Sequence, residues 1–131
     1  MPKVSRASAA NVGGGGPVED RHEEIDGYTV NFVTFNADVD ATPLMRGLPD
    51  DRCHCPHWGY VLKGRITFRF ADRDEVVEAG DAFYLPPGHI PIVEGGTEFV
   101  QFSPSEPLRE VSAHLEASMR AMMAAGSGPP A

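Results

Sequence analysis

Residues that bind metals or take part in redox chemistry are concentrated in the segment CHCPHW, at positions 53–58. In an extended chain Cys53, Cys55 and His57 project to the same side, because side chains alternate with period 2. Thiolates and imidazoles together suit Zn²⁺, with iron or copper as alternatives. His54 has the opposite parity and is not expected to be an interior ligand. The spacing therefore predicts a site for a divalent transition metal.

Three other interpretations of this segment stay open. Cysteine is often buried without any chemical role, and a bend at Pro56 would separate the side chains, so a metal-free pocket is the main alternative. If the segment is a loop, His54 and His57 are a second possible ligand pair. A redox role needs a lowered thiol pKa, and Arg52 is the only basic neighbour that would lower it.

Composition restricts the partners and the location. The net charge is −8 and no basic cluster is present, which argues against nucleic acid and anionic membranes as partners. No apolar run reaches the length of a membrane span, and the first residues lack the apolar region of a secretory signal. Two cysteines at i and i+2 cannot reach disulfide geometry. We therefore expect free thiols and a cytoplasmic protein.

The arrangement of apolar residues predicts short strands and one helix. In RITFRF, Ile66, Phe68 and Phe70 alternate with polar residues, which is typical of a strand. Strands this short, separated by turns with Gly and Pro, indicate an all-β fold. Leu108, Val111 and later residues recur at helical spacing. We predict a disordered arm at 1–17, a β-domain at 18–102, a helix at 103–125 capped by Ser103, and a flexible tail at 126–131.

Two stretches, CHCPHWGYVLKGRITFRF and GDAFYLPPGHIP, resemble the two sequence motifs of the cupin superfamily. Gly80, Pro86 and Gly88 match the spacing of the second motif, and Gly64 matches the last glycine of the first. The run YVLKG is also typical of cupin strands. The resemblance covers about residues 28–102 and implies a cupin jelly-roll barrel, usually a homodimer, with a site inside the barrel.

The metal ligands of the cupin motifs are not reproduced in this chain. The position of the family's glutamate is taken by His57, and that of its last histidine by Pro91. His89 has the same parity as Pro91, so it is expected to face the same cavity. The predicted ligands are therefore Cys53, Cys55, His57 and His89, which replace the family's three histidines and one glutamate.

The resemblance also implies a class of function without naming a reaction. Small cupins include oxygenases, isomerases and decarboxylases that act on small organic molecules with the help of a metal. In such an enzyme His57 or His89, if not bound to the metal, is available for proton transfer. The alternatives are a non-enzymatic cupin that binds or senses a small molecule, and a structural role. No catalytic residue is assigned from the sequence.

Overall fold

The computed structural model describes residues 3–126 and is built mainly of β-strands. Ten strands and one C-terminal helix are present in this range: β1 (Asn11–Gly13), β2 (Val18–Ile25), β3 (Tyr28–Phe35), β4 (Val39–Asp40), β5 (His57–Lys63), β6 (Arg65–Arg69), β7 (Asp74–Glu78), β8 (Ala82–Leu85), β9 (Ile90–Val93), β10 (Glu98–Pro104) and α1 (Ser105–Gly126). Two short 3₁₀ helices, Thr42–Met45 and Pro49–Asp51, lie between β4 and β5. The predicted all-β class with a C-terminal helix is confirmed.

The strands form two antiparallel sheets. One has six strands in the order β1-β2-β3-β10-β5-β8, and the other has four in the order β4-β9-β6-β7. Five of the neighbouring pairs, β3-β10, β10-β5, β5-β8, β4-β9 and β9-β6, join strands that are not consecutive in the sequence, as in a jelly roll. The sheets do not join into one closed barrel, so the predicted jelly roll is an open structure of two sheets.

Alternating apolar side chains fill the space between the sheets. On β6, Ile66 and Phe68 are buried while Arg65 and Arg69 are exposed, as the RITFRF pattern predicts. The buried residues of this core are Val33, Val61, Ile66, Phe68, Phe70, Leu85, Val93 and Phe99. A second apolar cluster lies under the helix and contains Ala41, Met45, Cys53, Cys55, Ile90 and Val111. Cys53 and Cys55 of the CHCPHW segment thus belong to the second cluster.

The helix begins at Ser105, two residues after its predicted start. Ser103 and Pro104 still belong to β10, where they pair with Thr29 and Tyr28 of β3. Ser103 therefore does not cap the helix, because sheet pairing continues through it. The helix is not long and apolar enough to cross a membrane.

The two ends of the chain differ in how far they are described. Within the predicted arm, Asn11–Gly13 form β1, which pairs with β2 at the edge of the larger sheet. The structure thus places a short strand in a segment whose composition did not indicate one. Residues 1 and 2 of the arm and 127–131 of the predicted tail lie outside the described residues.

Candidate metal centre

Three buried side chains bring possible metal ligands together between the sheets. One ligand atom each from Cys53, His57 and His89 lies within 4.8 Å of the other two. The Sγ atom of Cys53 is 3.8 Å from Nε2 of His57, and the rings of His57 and His89 are 5.1 Å apart at their centroids. Their exposed fractions are 3%, 6% and 1% respectively. Three of the four predicted ligands therefore meet in one place.

Backbone pairing aligns two segments that are far apart in the sequence. Cys53 and His89 form an isolated antiparallel bridge, in which Cys53 N–H donates to the His89 carbonyl at 3.0 Å and His89 N–H donates back at 3.2 Å. Gly88 N–H donates to the Cys53 carbonyl as well, at 2.8 Å. His57 follows as the first residue of β5. The bridge thus fixes the distance between the thiol and the imidazole of His89.

In each histidine of the cluster, Nδ1 has a hydrogen-bond partner outside the cluster. Nδ1 of His89 is 2.8 Å from the Pro86 carbonyl oxygen. A carbonyl only accepts, so this nitrogen carries the proton and Nε2 has a free lone pair. Nδ1 of His57 is 2.6 Å from Oγ of Ser103. When His57 donates this bond, its Nε2 is likewise free to bind a metal, as is usual for metal-binding histidines.

Burial keeps all of these groups uncharged near neutral pH. Desolvation, with a smaller contribution from His89, lowers the pKa of His57 to about 3, and desolvation lowers the pKa of His89 to about 4. Desolvation raises the pKa of Cys53 to about 11. Neutral imidazoles are the form that binds metals, whereas the Cys53 thiol must lose its proton when it binds one. A raised thiol pKa does not favour the redox interpretation, which requires a lowered one.

Cys55 does not join the three-residue cluster, although the sequence pattern predicted that it would. It is buried, and its Sγ donates to the Pro56 carbonyl at 3.5 Å. Desolvation, with a further effect of Cys53, raises its pKa to about 12. Alternation holds only within a regular strand, and residues 54–56 precede β5 without strand structure. A role for Cys55 as a fourth ligand stays a prediction.

The remaining candidates lie outside the cluster. His54 is exposed, and its Nε2 donates to the Pro49 carbonyl at 2.8 Å. Pro91, at the position of the missing family histidine, lies in β9. Cys53 and Cys55 are both free, as predicted.

Ser103 is the residue that the sequence analysis missed. Its interpretation as a helix cap concealed its position on β10, where Phe99, Gln101 and Ser103 share one parity. Phe99 and Ser103 are both buried, so the alternation continues inward up to Ser103. That alternation was the available signal in the sequence.

The donor set fits a transition metal. One thiolate and two imidazoles are the ligands preferred by Zn²⁺ and by iron and copper, and hard cations such as Mg²⁺ prefer oxygen. Donors 3.8 Å apart, such as Sγ of Cys53 and Nε2 of His57, match the separation of two ligands around one tetrahedral ion. Three protein ligands also leave one position open, as in catalytic zinc sites.

Comparison with known proteins relates one part of the chain to a family. A family model described as a cupin domain matches residues 53–98, which include all three residues of the cluster. This match identifies residues 53–98 as similar to a cupin domain. The similarity rests on the same segment that carries the Cys53, His57 and His89 side chains. No curated protein sequence matches this chain.

Solved structures show the same fold at low sequence identity. A protein of unknown function from Rhizobium leguminosarum has a TM-score of 0.56 and 17% identity, over 79% of this chain and 95% of that chain. An RmlC-like cupin from Shewanella frigidimarina has a TM-score of 0.54 and 18% identity, over 81% and 94%. The polyketide cyclase RemF from Streptomyces resistomycificus has a TM-score of 0.54 and 19% identity, over 81% and 80%. At these identities the likeness shows the shared fold.

Proposed function

We propose that this protein binds a divalent transition metal through Cys53, His57 and His89 and acts as an enzyme on a small organic molecule. The observation that supports it is the set of three buried donors within 4.8 Å of one another. Both imidazoles are uncharged, and a hydrogen bond at Nδ1 of each leaves Nε2 available to a metal. Together with the Cys53 thiol, they suit a soft cation. Zinc is the first candidate, and iron and copper are the others.

A metal at this position would act as a Lewis acid on an oxygen atom of the substrate. The chain's own residues orient the ligands and exclude water. The Pro86 carbonyl and Ser103 fix the rings of His89 and His57. Phe68 and Phe70 present their rings at the edge of His89, with centroids 6.1 and 6.4 Å away, and keep its surroundings apolar. The cupin resemblance implies oxygenase, isomerase or decarboxylase chemistry for such a site.

Elemental analysis of protein purified without a metal-affinity tag tests the metal. We expect about one zinc, iron or copper per chain, and loss of this metal in Cys53→Ser and His89→Ala. Cys55→Ser is the matched control, since it removes a buried thiol that lies outside the cluster. Retention of the metal in this variant limits the site to three protein ligands, whereas its loss assigns Cys55 as the fourth. A metal-free wild-type protein would contradict the proposal.

A non-enzymatic cupin that binds or senses a small molecule is the second candidate. The burial of all three cluster residues favours it, since a substrate has little direct access to them. The visible spectrum of the cobalt-substituted protein distinguishes the enzyme from the binding module. A change in its visible spectrum on addition of azide indicates an open coordination position and supports an enzyme, whereas an unchanged spectrum supports the binding module.

We further propose a cytoplasmic homodimer. Six large apolar side chains are 43–53% exposed on the outer face of the six-stranded sheet: Tyr28, Trp58, Tyr60, Leu62, Tyr84 and Phe102. A contiguous apolar face of this kind is typical of a protein interface, and a second copy of the chain is the occupant we propose. The two free cysteines are consistent with a reducing compartment.

A further inference from the structure

We propose that the cavity next to the metal cluster binds a carboxylate group through Arg52. The cavity has a volume of about 610 Å³, within the range of small-molecule sites. Its walls come from three loops, at residues 50–54, 70–73 and 86–88. As a statement about the substrate of the proposed enzyme, this inference rests on the proposed function. The binding site itself does not require the metal.

The cavity and the metal cluster share a wall. Pro86, which lines the cavity, accepts the hydrogen bond from Nδ1 of His89. Phe70, also in the lining, packs its ring against the edge of His89. Gly88 of the lining donates to the carbonyl of Cys53. A molecule in the cavity is therefore separated from the cluster by a single layer of residues.

Arg73, the other arginine of the lining, is paired with two acidic side chains. Its Nη1 lies 3.0 Å from Asp72, and its Nε lies 2.9 Å from Glu75. Its guanidinium also lies over the ring of Phe70, 4.5 Å from the centroid. Asp72 is thereby neutralised as well. The charge of Arg73 is therefore already balanced by acidic neighbours.

Arg52 differs from Arg73 in lacking an acid partner. Its Nη1 donates to the Asp50 carbonyl at 3.3 Å, and none of the ion pairs in the described part of the chain includes Arg52. Its Nε–H is buried and has no hydrogen-bond acceptor. A carboxylate is the group that binds a guanidinium with two parallel hydrogen bonds. Arg52 lines the cavity without an acid partner, so its guanidinium is the group that a carboxylate there would bind.

The backbone before Arg52 is held in an uncommon conformation. Asp50 and Asp51 both have φ near +56°, in the left-handed region that non-glycine residues seldom adopt. Asp51 accepts a hydrogen bond from Gly47 N–H at 3.0 Å, which occupies one of its carboxylate oxygens and stabilises the loop. Strain of this kind is often found where a side chain must be placed for function. Here it sets the position of Arg52 at the cavity.

Binding of small carboxylates to chelator-treated protein tests the proposal. Acetate, benzoate and succinate are each compared with the neutral amide of the same shape, by NMR titration at constant ionic strength. We expect at least one carboxylate to bind at least tenfold more tightly than its amide, with shifts at residues of the three loops. Carboxylates that bind no better than their amides would overturn the proposal.

Variants of Arg52 distinguish bidentate binding of a carboxylate from general electrostatic attraction. Arg52→Gln and Arg52→Lys are both expected to weaken carboxylate binding, about tenfold or more for the glutamine, since lysine keeps the charge but loses the planar pair of donors. Arg65→Gln makes the same charge change on β6 away from the cavity and should leave the affinity unchanged. Equal affinity in wild type and Arg52→Gln, with both folded by NMR, would also overturn the proposal. Because the metal is absent from these titrations, their outcome is independent of whether the proposed metal site exists.

Discussion

Oγ of Ser103 lies 2.6 Å from Nδ1 of His57, on neighbouring strands of the larger sheet, and both side chains are buried. The contact connects the end of β10 to the first residue of β5. It fixes the ring of a candidate ligand through the nitrogen that does not face Cys53. The hydroxyl therefore orients the cluster without belonging to it.

Ser103→Ala removes this partner of His57. We expect the metal affinity to fall about 10- to 100-fold, as is usual when the outer partner of a metal-binding histidine is lost. A buried Nδ1 without a partner should also lower the free energy of unfolding by about 1–3 kcal/mol. Competition with a chromophoric chelator measures the first effect, and urea denaturation measures the second.

Ser105→Ala is the matched control for this prediction. Ser105 is equally buried, and its hydroxyl bonds to Thr29 at 2.8 Å instead of to His57. We expect a similar loss of stability and an unchanged metal affinity. Equal affinities in the two variants would contradict the positioning role of Ser103.

The stability of the metal-free protein should decrease on both sides of neutral pH. The folded pKa values of His57 and His89, about 3 and 4, lie below the ordinary value of 6.5, so the unfolded chain binds more protons below pH 6.5. The free energy of unfolding should then fall by up to about 1.4 kcal/mol per pH unit for each histidine. Cys53 and Cys55 have raised pKa values, so stability should also fall as the pH rises above about 9.

Urea denaturation in the presence of a chelator, from pH 5 to pH 10, measures the loss of stability on both the acidic and the basic side. His57→Gln removes one of the two histidines and should roughly halve the slope between pH 6.5 and pH 5. Carboxylates change their charge little in that interval, so they do not obscure the effect. A flat profile between pH 6.5 and pH 5 would show that the histidines are not buried in the neutral form.

Gly64→Ala should be strongly destabilising. Gly64 joins β5 to β6 with φ of +83°, and an added Cβ would collide with Oγ1 of Thr97 and lie 2.6 Å from its Cα. Thr97 is fully buried and its hydroxyl bonds to Arg65, so it cannot move aside easily. We expect a loss of about 2–4 kcal/mol in the free energy of unfolding, measured in urea.

Gly80→Ala distinguishes the cost of a positive φ from the cost of the collision with Thr97. Gly80 also has a positive φ, +95°, but an added Cβ would meet nothing within 4 Å. We expect only the conformational cost, about 1 kcal/mol. If both variants lose the same stability, the contact with Thr97 has no effect of its own.

The exposed apolar face predicts the oligomeric state. Size-exclusion chromatography with light scattering should give a dimer for the wild type, and Trp58→Glu should give a monomer because it places a charge within the apolar face. Val76→Glu is the control, since Val76 is 53% exposed on the other sheet. A wild-type monomer at micromolar concentration, or a Trp58→Glu dimer, would contradict the proposed interface.

Local pattern was sufficient for most elements of the fold. Alternation predicted the buried and exposed faces of β6, and helical spacing of Leu108 and Val111 predicted α1. Periodicity is a property of neighbouring residues, so it can be read without knowing the tertiary structure. It failed at Ser103, where a cap pattern and a strand pattern overlap and only pairing with β3 distinguishes them.

The sequence by itself determined the residue types of the candidate centre, two cysteines and two histidines in two short segments, and the cupin motifs around them. Only the tertiary structure decided which of them meet. The bridge between Cys53 and His89 joins residues 36 positions apart, and no local pattern encodes a contact of that separation. Cys55 lies outside the three-residue cluster because the strand geometry assumed for it begins only at His57. Pairing between distant segments, rather than residue type, therefore sets the composition of the cluster.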